Sequence, residues 1–338
     1  MFLLSLKRLI RHRLAMISLG ILGFLYILAI FADFFACYHY DYEKRDKAYH
    51  PPVKIYFIKD GKITFPFVYK YKMTWKDYKR VWLPDKTKPY FLKLFFKGRL
   101  FGVEEPAMLY LLGSDWNGRD ILSRLIYGAR ISLSIGIIGV LISFSLGLLI
   151  GGISGYFGGW IDTAIMRTVE LIMSFPAFYL LLSLRAIFPL DLPSYQVYIM
   201  IVVILSFIEW GGIARIIRGM VLSIREKEFI LAEKALGASS LRIILSHILP
   251  NTLSYAIVAA GLSIPSYILS ESALSMIGLG INEPWPSWGN MLSRAMDYSV
   301  LSSCFWILSP GFLIFVSVLS FNLLSDGLRD AFDPRAIF

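Results

Sequence analysis

Residues 131–161 read ISLSIGIIGVLISFSLGLLIGGISGYFGGWI, without one charged side chain. A helix needs about 20 mainly apolar residues to cross the hydrocarbon core of a bilayer, and this run is longer than that. It supplies a span at Ile131–Gly155. Five more stretches qualify: Leu14–Ala36, Thr163–Phe188, Val197–Ile217, Thr252–Ser270 and Ser303–Leu324. The whole chain agrees, with 57% of its 338 residues hydrophobic and 17% charged. Soluble domains run nearer to about 45–50% apolar and about 25% charged. Such a composition predicts a multi-pass membrane protein and excludes a soluble enzyme, a DNA-binding factor and a disordered chain.

The first stretch is too long for the apolar core of a signal peptide and has no A-x-A site after it, so it is expected to stay as an anchor. Lys and Arg gather on the inner side of membrane proteins. With the N-terminus inside, twelve of them, among them Arg8, Arg218, Arg225, Lys234, Arg329 and Arg335, fall on inner segments, while the short outer loops carry Arg185 and Arg294. The expected arrangement is therefore six spans with both termini cytoplasmic. Residues 1–37 form the N-terminus and first helix, 38–126 an extracytoplasmic insert, 127–327 the transmembrane core with an inner loop at 218–250, and 328–338 a cytoplasmic tail.

Residues 38–130 hold 19 of the 34 Lys and Arg but 10 of the 24 Asp and Glu, hence nine of the ten net positive charges. Lys54–Val68 reads KIYFIKDGKITFPFV, and Asp60-Gly61 between alternating residues predicts a two-residue β-hairpin. Basic residues mixed with aromatics suggest nucleic acid in a soluble domain. Outside a membrane they suit a small β-rich cap or a docking surface, and no nucleic-acid partner is expected.

Within the spans, small residues recur at every fourth position: Gly139, Ser143, Gly147, Gly151, Gly155 and Gly159. This pattern fits close helix packing in lipid or a seam that slides during transport. Pro176, Pro265 and Pro310 fall inside the third, fifth and sixth spans, where each removes a backbone donor and favours a kink. Arg167 and Glu170 are spaced to pair on one helix face. Glu209 and Glu271 are candidate pathway or gate residues, because a carboxylate within a span is costly; capping a wet loop is the other reading. Cys37 and Cys304 fit either one bond or two free buried thiols. GxSxG, paired Cys/His and metal-ligand patterns are absent, so no catalytic residue, bound cofactor or metal is assigned.

Residues 226–236 read EKEFILAEKAL, then Gly237. Phe229, Ala232 and Leu236 share a face at helical spacing, and Gly237 suits a helix stop. A second short helix is expected from about Ser239 or Ser240 to Pro250. Two such helices either lie on the membrane surface or dock in a groove on a soluble partner. The chain has no G-x-x-x-x-G-K-[ST] phosphate loop, so any ATP-driven work falls to a partner.

This loop resembles the "EAA" coupling loop of ABC-importer permeases: E-A-A, three residues, G, nine residues, I-x-L-P. Ala232, Gly237 and Leu249-Pro250 match; Leu231, Glu233 and His247 depart from it. LLGSDWNGRDILSRLIYGARISL at 111–133, MSFP at 173–176 and ARIIRGMVLSIREKEFILAEKALGAS at 214–239 look like segments of the dipeptide/oligopeptide permease subfamily. So do HILPN at 247–251, ESALSMIGLG at 271–280, PWPSWGNML at 284–292 and FNLLSDGLRDAFDPR at 321–335. The order matches its second, C-type subunit, and the insert at about 45–105 is the part least covered.

The resemblance implies an all-α type I ABC-importer permease with six transmembrane helices and a small β-containing insert, in the inner membrane of a prokaryote. It implies a second homologous permease, two ABC ATPase subunits that bind ATP and magnesium, an extracytoplasmic substrate-binding protein and a peptide substrate. Glu228, Phe229, Ala232, Gly237 and Pro250 would form the ATPase-coupling loop. Nickel and oligosaccharide systems share this fold and are alternative cargoes. An ion-coupled secondary transporter and a membrane-embedded enzyme are the readings from other classes.

Overall fold

The computed structural model describes residues 2–59, 61–76, 79–189 and 191–332. Helices α1 (Phe2–Arg11), α2 (Arg13–Ile30) and α3 (Ala32–Phe35) come first. Strands β1 (Tyr56–Lys59), β2 (Lys62–Lys76), β3 (Lys79–Phe91), β4 (Lys93–Phe96) and β5 (Arg99–Gly102) form the insert. Then follow α4 (Ile121–Phe157), α5 (Gly159–Ser174), α6 (Ala177–Ala186), α7 (Ser194–Ile224), α8 (Glu228–Ala235) and α9 (Ser240–Ile243). The last are α10 (Leu249–Met276), α11 (Trp288–Leu292), α12 (Tyr298–Ser303) and α13 (Ser309–Phe332).

Among the described residues, five helices are long and apolar enough to span a membrane, and α5 and α6 pass the same test only as a bent pair. Each expected stretch is therefore present, but several ends differ. The first span stops at Ile30, short of Ala36, because Arg130 caps it: Nε donates to the Ala29 carbonyl at 2.5 Å and Nη2 to that of Ile30 at 2.9 Å. The same guanidinium pairs with Asp33 at 2.8 Å. The third span is two helices bent by 87°. Phe175 is extended, as a residue before proline prefers, and Pro176 caps α6. Pro265 sits inside α10 without ending it. Pro310 is no mid-span kink; it lies in the first turn of α13, where a missing N–H leaves no bond unmade.

The second span is part of a longer helix. At 37 residues, α4 is about 55 Å long. Its charged first turns, with Arg124 and Arg130, precede the uncharged run. Asp120 starts it, accepting the Ser123 N–H at 2.8 Å and the Ser123 hydroxyl at 2.5 Å, the N-cap arrangement.

The chain divides into two units. The first comprises Met1–Gly23, Leu133–Leu274 and Phe315–Phe338, and the second Phe24–Ser132 and Ser275–Ile314. Residues 275–314 fall in the same unit as the insert. In the first unit α7 is the central helix, with 67% of its most apolar window buried against 39% for that of α10.

In the second unit β1, β2 and β3 make an antiparallel sheet, and β4 and β5 a separate hairpin. Lys59 pairs with Lys62 across the expected turn, where Gly61 has φ +78°; Asp60 lies outside the described residues. A second two-residue turn joins β4 to β5, with both Lys97 and Gly98 at positive φ, the type I′ pattern. Val53, Val68, Tyr71, Val103, Met108, Leu109 and Tyr110 form the insert's core. The His50 ring is buried beside the rings of Tyr71, Trp82 and Tyr110 at 4.9, 4.6 and 5.4 Å.

Candidate coupling loop and transport cavity

The chain leaves α7 at Arg225, whose Nη1 donates to the Gly155 carbonyl on α4 at 3.0 Å. After a short turn α8 begins. Ile230 is fully buried and packs with Ile213, Ile217, Val221 and Ile224 of α7 and with Ile243 and Ile248 beyond. Ile230 is the apolar anchor of α8, which also holds His247 through Glu233 at 3.5 Å and the Tyr156 ring through Lys234 at 5.0 Å. Glu228, Phe229, Leu231, Ala232 and Leu236 are exposed. The expected Phe229–Ala232–Leu236 face is thus the one α8 turns outward.

Gly237 stops α8. Its N–H donates to the Lys234 carbonyl at 3.0 Å and the Ala238 N–H to that of Glu233 at 3.1 Å. This is the Schellman pattern, and the φ of +81° at Gly237 is one that a side chain would strain. Ser239 then caps α9, accepting the Arg242 N–H at 3.4 Å. The expectation that this helix ends at Pro250 fails. A π turn over Ile244–Ile248 carries it directly into α10, and Pro250 is the second residue of α10. The wider turn lies where an α register would press the proline ring on the carbonyl four residues back.

Small residues on α4 let two helices approach. A methyl on Gly147 would meet Ile213 at 2.6 Å, one on Gly151 the Ala214 carbonyl oxygen at 2.5 Å, and one on Gly155 that of Arg218 at 2.8 Å. On the same stripe Gly139 faces the Tyr267 ring of α10, and its carbonyl accepts the Ser206 hydroxyl at 3.1 Å. The stripe is a packing seam. It ends at Gly155, because Gly159 belongs to α5 and a methyl there meets nothing. Arg167 and Glu170 pair at 2.7 Å on the exposed side of α5.

An open cavity of about 900 Å³ lies in the first unit. Glu209, Gly212 and Arg215 of α7, Asn251, Tyr255 and Ser263 of α10, and Arg329 of α13 are among its lining residues. Glu209 accepts a 3.5 Å hydrogen bond from the Ser266 hydroxyl. Glu271, read alongside Glu209, is not brought to it. It is fully buried within α10, beside the Ser272 hydroxyl at 3.4 Å, and does not line this cavity.

Sequence reasoning passed over a buried ion cluster in the second unit. Arg119 donates to both Glu283 oxygens at 2.6 and 3.0 Å and through Nε to Asp115 at 2.8 Å; Arg124 reaches Glu283 at 2.9 Å. Beside it, Trp288 is fully buried, with its indole N–H on the Leu125 carbonyl at 3.0 Å. Ser287 and Asn290 form a capping box around it. The charged segment 111–133 and the PWPSWGNML segment are thus one assembly. The only local hint was charge density before an apolar run. Cys37 and Cys304 are separate buried thiols, and desolvation pushes the Cys37 thiol up to about 12. Among the described residues no group of His, Cys, Asp and Glu is placed to hold a metal.

Five apolar spanning helices with a bent helix pair, a glycine seam, an open cavity and an anchored loop with an exposed apolar face define a polytopic transport protein. Residues 147–338 match the family described as binding-protein-dependent transport system inner membrane component, and residues 1–52 the N-terminal TM domain of oligopeptide transport permease C. The chain belongs to the binding-protein-dependent transport inner-membrane component family, and its fold is that of a type I ABC-importer permease with a small β insert. The dipeptide transport system permease protein DppC of Bacillus subtilis is 40% identical over 231 residues, 68% of this chain and 70% of that protein. The oligopeptide transport system permease protein OppC of Haemophilus influenzae is 41% identical over 227 residues, 67% of this chain and 70% of that protein. Among solved structures, the inward-facing MetNI methionine ABC transporter aligns with a TM-score of 0.46 at 17% identity, over 62% of this chain and 96% of that one.

Proposed function

We infer that the chain is a permease subunit of an ATP-driven ABC importer that carries dipeptides or oligopeptides across the cytoplasmic membrane. The observation that carries this reading is the identity of about 40% with dipeptide and oligopeptide permeases, together with the family match over residues 147–338, which include the anchored loop. In this reading the loop at 218–250 faces the cytoplasm, as do both termini. The exposed face of α8, with Phe229, Ala232 and Leu236, seats in a groove on one of two ATPase subunits. ATP and magnesium bind there, and this chain carries no catalytic step itself. A second, homologous permease completes the cavity, and a binding protein delivers the peptide to the insert side.

The coupling is mechanical. Ile230 fixes α8 to α7, so displacement of α8 moves α7 against the glycine seam of α4 and shifts the cavity between two accessible states. The test is uptake by the complex reconstituted with its binding protein. ATP-dependent accumulation of labelled dipeptide is expected. Accumulation of nickel or an oligosaccharide instead would reassign the cargo.

A further inference from the structure

The cavity of the first unit holds charges of both signs that the fold does not neutralise. Glu209 forms no ion pair with any described residue, and its hydrogen bond from Ser266 is long at 3.5 Å. Arg215 and Arg329 line the same cavity, and neither forms an ion pair with a described residue. The neighbouring charges are matched: Arg218 with Asp162, and Arg167 with Glu170. A lone carboxylate in a membrane helix is costly and marks a wet path or a ligand.

Glu209 and Arg215 are six residues apart on α7, about 9 Å along the helix axis. Between them Gly212 lines the cavity, and a methyl there would meet nothing within 4 Å, so the wall is open. An extended dipeptide is about 7 Å long, with an ammonium at one end and a carboxylate at the other. Side chains reaching in from each pole span that length.

We propose that Glu209 and Arg215 are the two poles of a substrate subsite for zwitterionic peptides. The Glu209 carboxylate receives the peptide's α-ammonium, and the Arg215 guanidinium receives the terminal carboxylate, a pairing its planar fork favours. Asn251, Tyr255 and Ser263, on the α10 wall, supply donors and acceptors for the peptide amide. This subsite rests on the peptide-permease reading.

The test uses the full complex, with partner permease, ATPases and binding protein, in proteoliposomes. The probes are labelled dialanine and N-acetyl-dialanine, with the binding protein in excess. Glu209→Gln should lower ATP-driven dialanine uptake about tenfold, with the complex still assembled and with Glu209→Asp largely restoring uptake. In Glu209→Gln the acetylated peptide should no longer be disfavoured relative to dialanine. Arg215→Gln should lower dialanine uptake similarly. Wild-type rates in both Gln variants would overturn the subsite. Loss of the second permease from purified Glu209→Gln would overturn it too, making Glu209 an interface residue. A wild-type complex that carries no dipeptide would overturn the peptide reading itself, and the subsite with it.

Discussion

Arg218 grips Asp162 with both arms of its guanidinium: Nε lies 2.5 Å from Oδ1 and Nη2 2.5 Å from Oδ2. Ser154 of α4 donates to the same carboxylate at 2.5 Å. The pair ties the first turn of α5 to α7 two turns before α7 runs into the loop that carries α8. It is the polar counterpart of the apolar anchor at Ile230.

Asp162→Asn removes the charge and leaves Arg218 partly buried without its partner. A charge-assisted, bidentate contact of this kind is worth about 2 kcal/mol. The variant should melt at a lower temperature in detergent and transport more slowly per ATP hydrolysed. Parallel melting and uptake assays check both; an unchanged ratio of uptake to hydrolysis would mean the pair only stabilises.

Gly151 tests the seam. Its missing side chain leaves room for the Ala214 backbone, so Gly151→Val must push α4 from α7. Folded yield should drop sharply. Gly20→Ala on α2, where a methyl meets nothing, should be neutral or stabilising by up to about 1 kcal/mol. Quantitative size-exclusion yield of the two variants separates close packing from general intolerance of glycine changes.

Gly237→Pro removes the N–H that bonds the Lys234 carbonyl and forbids the φ of +81°. It should abolish coupled uptake while leaving the amount of membrane-inserted protein unchanged, because only the turn between α8 and α9 is disturbed. Immunoblotting of membranes alongside uptake measures this. Normal uptake would mean that the turn does not transmit the stroke.

Two buried groups of the second unit oppose each other in pH. Burial pushes Asp120 up to about 7 from an ordinary 3.8 and His50 down to about 4 from 6.5. Folded Asp120 keeps a proton that the unfolded chain has lost, so its contribution is full below 3.8 and disappears as pH rises to about 7. The contribution of neutral His50 is present above 6.5 and is lost as pH falls through about 4. Asp120→Asn should therefore lose stability on acidification from pH about 7 to about 4, and His50→Gln should gain it. Melting temperatures across that range decide the matter; parallel curves for the two variants would contradict it.

The apolar spans were legible because an uncharged run is a local property, but their ends were not. The end of α2 depends on Arg130, a hundred residues further on. The start of α4 is set by a readable Asp120–Ser123 cap that a search for apolar residues steps over. The hairpin at Gly61 follows from local turn chemistry; the one at Lys97-Gly98 carries a lysine where Asn or Asp is usual. In the candidate site, Gly237 and the exposed face of α8 follow from helical spacing. The ion cluster joins Arg119 to Glu283 across 164 residues, which no local pattern reveals. Glu209 and Glu271 look alike in sequence, and only packing separates the one at the cavity from the one in the core.

The most direct measurement is affinity purification of the tagged chain from detergent-solubilised membranes, with mass spectrometry of what accompanies it. The account predicts a second, homologous permease and two ABC ATPase subunits, with the ATPases lost when Phe229 and Leu236 are both changed to Asp. Recovery of the chain alone, or as a homodimer with no ATPase, would contradict it and favour a transporter driven by an ion gradient.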